Sequence, residues 1–321
     1  MAESVIVSPV EDGTRLLRWF LRHYPSMPQR EFYRLCRGGQ IRVNSGRCHG
    51  QEILHEGDAI RVPPTISAYA VAQKKTESGE QFSLSDLESL RRTIIHNDDD
   101  IVVFNKPAGL AVQGGSGIRK SIDKMATALF PYAKISLVHR LDMETSGLLV
   151  VAKTQHAAQV LSRAFQNKIA HKEYLALLNG DVSESYGVID NYMLKGRVIE
   201  TQTREHGTGA LPHHAITEYK VLARAAGMLT WVLFLPKTGR THQLRMHSAF
   251  SLGAPIVGDD LYGGGRKMDS GLQSVLATKN LFLFAYKLTF PHPTTGRMVT
   301  FRAPVPDFMK PVISLLELPL P

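Results

Sequence analysis

Residues 139–150 read His-Arg-Leu-Asp-Met-Glu-Thr-Ser-Gly-Leu-Leu-Val, and they contain a carboxylate equipped for chemistry. Asp142 follows His139 and Arg140, whose positive charge favours the anionic side chain that a nucleophile or base needs. Thr145-Ser146-Gly147 then turns into the apolar run Leu148-Leu149-Val150. Glu144 raises a second possibility, paired carboxylates sharing acid and base work as in glycosidases. Residues two apart diverge by about 200° on a helix, and in a turn their directions are not set by sequence. Asp142 is therefore read as acting alone and Glu144 as structural. Two further stretches carry reactive types: His171-Lys172-Glu173-Tyr174, opening an apolar run, and Thr238-Gly239-Arg240-Thr241-His242-Gln243-Leu244-Arg245, closing another. Arg240 and Arg245 lie about 140° apart on a helix, so one helix cannot aim both at a single carboxylate. His242 and His247 lack an acidic third ligand at helical spacing, which favours hydrogen bonding over metal.

Such residues need elements that hold them. Ile101-Val102-Val103-Phe104 predicts a buried strand running into Asn105-Lys106-Pro107. Helices are expected over 121–130 and 155–170, the second from the stripe Ala158, Val160, Leu161, Ala164 and Phe165. Strands are expected over 172–178 and 229–235, with helix-like residues from the Thr238-Gly239 turn to Ala249. Helices and strands do not alternate regularly enough for a doubly wound sheet. The expectation over 96–315 is an α+β domain with a mixed, largely antiparallel central sheet flanked by helices. The glycines between Gly109 and Gly117 lack the spacing of a phosphate loop.

Residues 14–64 form a basic module, with nine arginines, no lysine and four acids, so that its net +5 is over half of the chain's +9. Arg15, Arg18 and Arg22 are spaced three and four apart among Leu16, Leu17, Phe20 and Leu21, which predicts an amphipathic helix. A second helix starts after Pro28, carries Arg30, Arg34 and Arg37, and stops at Gly38-Gly39; strands follow over 40–44 and 58–62. Arginine at this density points to a polyanion such as RNA. Residues 65–95 read as a linker, polar over 73–80, with a short helix near Leu87. Two cysteines, Cys36 and Cys48, suit reduced thiols rather than a disulfide framework or a metal site. Neither a secretory leader nor a membrane-length apolar run is visible, so a cytoplasmic location is expected.

His-Arg-Leu-Asp with Thr-Ser-Gly, Lys-x-Tyr, and Thr-Gly-Arg-Thr-His-Gln-Leu-Arg together resemble the pseudouridine synthases of the ribosomal large-subunit type. The stretch Asn105-Lys106-Pro107-Ala108-Gly109 with the following Gly-Gly-Ser-Gly is nearest their synthase C branch, and residues 14–64 resemble an S4 RNA-binding domain. Asp259-Asp260-Leu261-Tyr262-Gly263 and Phe290-Pro291-His292-Pro293 match further landmarks of that family. The resemblance spans about residues 14–64 and 96–306. It implies isomerisation of uridine to pseudouridine in large-subunit ribosomal RNA, without cofactor or metal, by a monomer. It makes Asp142 the catalytic residue, as nucleophile or base, Tyr174 the residue that stacks on uracil and assists proton transfer, and Arg245 the ion-pair partner of Asp142. Arg140 fills the space left by the extruded base. His139, Arg240, Arg15, Arg18, Arg34, Arg37 and Arg42 are the further RNA contacts. Two departures stand out: residues 248–254 are one residue longer than the family's spacing, and Phe284 stands where a histidine often precedes alanine. The competing readings are an RNA-binding ribosome-assembly factor without catalysis, and an RNA N-glycosidase that releases uracil.

Overall fold

The structure is a computed structural model that describes residues 3–7, 11–24, 27–69, 82–115, 117–194, 197–200, 211–225, 227–263 and 280–321. The chain divides into two compact units, Met1–Gln81 and Phe82–Pro321. The first contains β1 (Glu3–Ile6), α1 (Leu16–His23), α2 (Gln29–Arg37), β2 (Arg42–Val43), β3 (Gly46–Arg47) and β4 (Ala59–Val62). Its strands form an antiparallel sheet in the order β1-β4-β2-β3. Leu16, Trp19 and Phe20 of α1 and Phe32, Leu35 and Cys36 of α2 are buried together, which leaves Arg15, Arg18, Arg30, Arg34 and Arg37 exposed. Cys36 and Cys48 are buried free thiols whose sulfurs stand 3.7 Å apart. The sheet begins earlier than residue 14, because β1 zips residue by residue onto β4.

The second unit starts with α3 (Leu84–Arg91), inside the stretch expected to be linker, and β5 (Ile94–Asn97), which straddles its end. A capping box between Ser83 and Asp86 starts α3, and β5 pairs with β6 (Ile101–Lys106). The polar stretch 73–80 and Ser116 lie outside the described residues. There follow α4 (Ile122–Leu129), β7 (Ser136–Leu137), β8 (Ser146–Ala152), α5 (Gln155–Gln166), β9 (His171–Asn179), β10 (Tyr186–Leu194), β11 (Arg197–Ile199), β12 (His213–Ala225) and β13 (Leu229–Pro236). After α6 (Gln243–Met246) comes a π-helical turn over His247–Ser251, then β14 (Leu283–Pro291), β15 (Met298–Arg302) and α7 (Lys310–Leu315). A π turn accommodates one residue more than an α turn. Among the described residues no helix is long and apolar enough to cross a membrane.

Among the described residues eleven strands make one mixed sheet, in the order β11-β10-β12-β13-β9-β14-β8-β6-β5, with β15 on β14 and β7 on β8. Every pairing is antiparallel except β8 with β14. All seven residues of β8 are buried, as befits a central strand reading Ser-Gly-Leu-Leu-Val-Val-Ala. Thr154 caps α5 by accepting the Ala157 N–H, and Ala157, Leu161 and Ala164 bury its apolar stripe. Phe284 is fully buried in β14, opposite Ser146 and Leu175.

The parallel contact between β8 and β14 demands glycine at 147. Gly147 has φ +107°, and a Cβ there would sit 2.3 Å from the Ala285 carbonyl oxygen. Gly109 also has positive φ, +79°, but open space around it. Gly147→Ala should therefore lower stability by about 3 kcal/mol or more, since strain and overlap combine. Gly109→Ala should cost only about 1 to 2 kcal/mol. Denaturant midpoints of the two variants check this; equal losses would contradict the backbone contact.

Candidate active site

In the second unit a cleft of about 670 Å³ opens where the 139–145 loop, β9 and the 236–245 segment converge. Asp142 lines it, partly exposed, at the tip of the loop that feeds β8. The loop is tied down by its own backbone: Thr145 N–H donates to the Asp142 carbonyl at 3.1 Å and Gly109 N–H to that of Met143 at 2.9 Å. Lys106, 0% exposed at the end of β6, completes the anchor. Its ammonium donates to the carbonyls of Pro107, Leu110 and Met143 at 2.9, 2.8 and 2.7 Å. Burial pushes Lys106 down to about 7, against the pull of Glu144 and Asp142. Three carbonyls accepting three protons favour the ammonium, because a neutral amine would turn its lone pair on one of them. Lys106 is thus a buried cation joining the 107–110 segment to the loop of Asp142.

Tyr174 and Arg245 reach the same cleft from β9 and α6. Tyr174 is 9% exposed, and burial with the charge of Asp142 pushes its hydroxyl above the ordinary tyrosine value. It stands there as a neutral phenol. The ion pair expected between Arg245 and Asp142 is not the one the fold makes. Arg245 Nε and Nη2 donate to the two oxygens of Asp259 at 2.8 and 2.6 Å, a buried bidentate pair. Asp259 Oδ1 also accepts the N–H groups of Leu261 and Tyr262, and the Tyr262 ring lies 5.3 Å from the guanidinium. The reason is geometric. The turn at 259–263 presents a carboxylate whose side chain is fully enclosed, which occupies one edge of the fork and leaves the remaining N–H groups to other partners. Asp142 acts on Arg245 through its charge, after the pull of Asp259. Lys106 and Asp259 were thus not picked out as site residues. Each had a visible trace, Lys106-Pro107 ending an apolar strand and Asp259-Asp260 beside Tyr262-Gly263.

His139, Arg140 and Arg240 also line the cleft. His139 is anchored in the wall: its Nε2 accepts the Val150 N–H at 3.0 Å and its ring stacks on Phe165. Arg140 is exposed, while Arg240 donates Nε–H to the His214 carbonyl at 2.9 Å. A directional chain of hydrogen bonds backs the Arg240 turn. Gln243 Oε1 accepts from Thr238 Oγ1 and the Arg240 N–H, and its amide donates to Ile216 O and Thr217 Oγ1. Thr217 in turn donates to His247 Nδ1, and His247 Nε2–H donates to Asn191 Oδ1. His242 bonds the Tyr262 hydroxyl at 2.9 Å. In the first unit, Arg15 reaches Gln51, Arg34 pairs with Glu31, and Arg42 donates to the carbonyls of Gly39 and Ser45. Arg18 and Arg37 are exposed, with no partner among the described residues.

Two consequences are measurable. Asp259→Ala strands a buried guanidinium and should cost about 3–5 kcal/mol in unfolding free energy; a loss below about 1 kcal/mol would deny the pair its role. His139 and His247 are neutral in the fold, pushed down to about 3 by burial and the Lys172 charge, and to about 4 by burial alone. Below their unfolded value of 6.5 the unfolded chain takes up protons that the fold refuses. The stability they support is therefore intact above pH 7 and lost as pH falls toward 4. That is about 2 kcal/mol per ring between pH 7 and 5. His247→Gln should flatten this acid-side loss in denaturant titrations at the two pH values, and an unchanged slope would contradict it.

The profile of the RNA pseudouridylate synthase family matches residues 100–250. Over 316 residues the chain is 33% identical to the ribosomal large subunit pseudouridine synthase C of Haemophilus influenzae, covering 97% of this chain and 94% of that one. It is 35% identical over 315 residues to the protein of the same name from Salmonella typhimurium, covering 98% and 96%. Among solved structures, human RNA pseudouridylate synthase domain containing 4 superposes with a TM-score of 0.61 at 28% identity, over 73% of this chain and 97% of that one. With the mixed sheet, the Asp142 cleft and likeness along nearly its whole length, the chain belongs to the RNA pseudouridylate synthase family.

Proposed function

We propose that this chain isomerises specific uridines of large-subunit ribosomal RNA to pseudouridine, with Asp142 as its essential catalytic residue. The observation that carries this is the convergence of Asp142, Tyr174 and Arg245 on one cleft of about 670 Å³, a size suited to a nucleotide-sized ligand. The reaction breaks the bond from ribose C1′ to uracil N1, turns the base, and joins C1′ to C5; the C5 proton leaves and N1 gains one. Nothing is oxidised and no group is added. Asp142 starts the cleavage as nucleophile or base. Tyr174 supplies a ring for the base to stack on and a hydroxyl that keeps its proton. Arg245, held from behind by Asp259, offers its remaining donors and its charge to the anionic side of the cleft.

A structured uridine must leave its stack first, at a cost of a few kcal/mol. Arg140, exposed at the mouth, takes the vacated space, and Arg240 and the His139 wall flank the entering strand. The first unit serves as an S4-like RNA-binding domain in which Arg15, Arg18, Arg34, Arg37 and Arg42 meet phosphates, helping to offset extrusion. Its two amphipathic helices with arginine on their outer faces support that reading. The enzyme works as a cytoplasmic monomer without cofactor. Beside this, the assembly-factor reading leaves Asp142, Tyr174 and Arg245 with no task.

Asp142→Asn should fold, bind unmodified ribosomal RNA as the parent does, and make at least about a thousandfold less pseudouridine. Carbodiimide labelling with primer extension reads the product, and chromatography of small products reads any free uracil. Normal turnover by the variant would remove Asp142 from the mechanism, and uracil release by the parent would make the protein a glycosidase.

A further inference from the structure

Lys172 is charged, lines the cleft, and has no task in the mechanism above. It lies on β9 two residues before Tyr174, so the two side chains leave the same face of the strand, about 7 Å apart along it. Its ammonium stands 3.5 Å from the position a Cβ on Gly239 would occupy, against the turn that carries Arg240. Among the described residues the other cations around the cleft are Arg140, Arg240 and Arg245, and the one carboxylate is Asp142. Arg245 is committed to Asp259 and Arg240 to the His214 carbonyl. Among the described residues no hydrogen bond or ion pair engages the Lys172 ammonium. Burial pushes it below the ordinary lysine value, and its charge disfavours a proton on His139.

An unpaired cation held partly out of water opposes folding. Placed beside a cleft, it is explained by a ligand that brings the missing negative charge. A compact ammonium with three donors suits a phosphate oxygen better than the flat edge of a base.

We propose that Lys172 is a substrate-contacting residue whose ammonium binds a phosphate flanking the extruded uridine while Tyr174, on the same strand face, meets the base. This rests on the pseudouridine synthase reading of the cleft. It adds a phosphate site inside the cleft, distinct from the arginines of the first unit.

The test is binding of an unmodified large-subunit ribosomal RNA transcript in an Asp142→Asn background, where turnover does not interfere. Affinity is measured between about 50 and about 200 mM KCl. Lys172→Met should weaken binding by about tenfold or more at low salt. It should reduce the slope of log affinity against log salt by about 0.7–0.9, one phosphate's worth of counterions. Lys172→Arg should restore the slope, and the melting temperature of Lys172→Met should equal or exceed the parent's, because an unsatisfied charge has been removed. An unchanged salt slope overturns the proposal, as does a drop in melting temperature of several degrees, which would make Lys172 structural. Loss of turnover in Lys172→Met carrying Asp142, with the slope intact, would assign the ammonium to the base and equally overturn it. The parent enzyme on the same transcript is the separate control. If it forms no pseudouridine, the functional reading fails, and with it any extruded uridine, whatever the slope.

Discussion

A guanidinium removed from bulk water must keep its counter-charge beside it, and in this protein that requirement shapes the wall of the cleft. Arg245 is 5% exposed and Asp259 6%, joined by two charge-assisted bonds. Breaking such a pair is far costlier than forming it is profitable, so its value lies in specificity of position. The pair joins α6 to the turn at 259–263, and Asp259 spends its other capacity on the backbone N–H groups of that turn. Arg245 therefore meets the cleft as a fixed cation. A carboxylate within its field, Asp142, meets a charge that has no freedom to swing away.

Lys106 does the corresponding work on the other side. It is fully buried and, among the described residues, bonded only to carbonyls, so it organises backbone, and one of those carbonyls belongs to Met143, the neighbour of Asp142. Two buried cations thus approach one loop by different means. One is locked by a carboxylate and acts through space; the other is locked by backbone dipoles and sets where the loop lies. The chain His247-Thr217-Gln243 adds a third constraint on the opposite rim, where each group has one donor-acceptor direction that satisfies all the others. A neutral His247 suits this network, since a proton on Nδ1 would remove the acceptor to which the Thr217 hydroxyl donates. The acid sensitivity of this rim follows from a network with no slack.

What was legible in the residues follows the range of the interactions responsible. The stripes of α1, α2 and α5 and the apolar runs of β6, β8 and β13 are local patterns, and each element lies close to where periodicity places it. The order of strands is not local: nothing near Ser146 announces that its neighbour will be Phe284 in a parallel register. β5 hid in a stretch whose start is polar, and the pairing that makes it a strand belongs to β6. The cleft shows the same division. Asp142, Tyr174 and Arg245 were visible as motif residues, but the partner of Arg245 was misassigned because motif spacing carries no distance across a non-periodic turn. Lys106 was passed over because a lysine ending a strand beside proline is ordinarily a surface residue, and only the three carbonyls around it say otherwise.

Lys106, Arg245 and Lys172 differ in what they stabilise, and the difference separates scaffold from ligand site. Lys106 and Arg245 are satisfied within the chain, by carbonyls and by a carboxylate, and removing either leaves orphaned acceptors behind. Lys172 leaves none, for no acceptor among the described residues depends on it. A half-buried ammonium with no protein partner adds no pairing energy to the fold. Lys172 sits two positions from Tyr174, against the Arg240 turn, in the lining of the cleft that holds Asp142. Satisfied cations mark where the cleft is built; the unsatisfied one marks where a polyanion completes it.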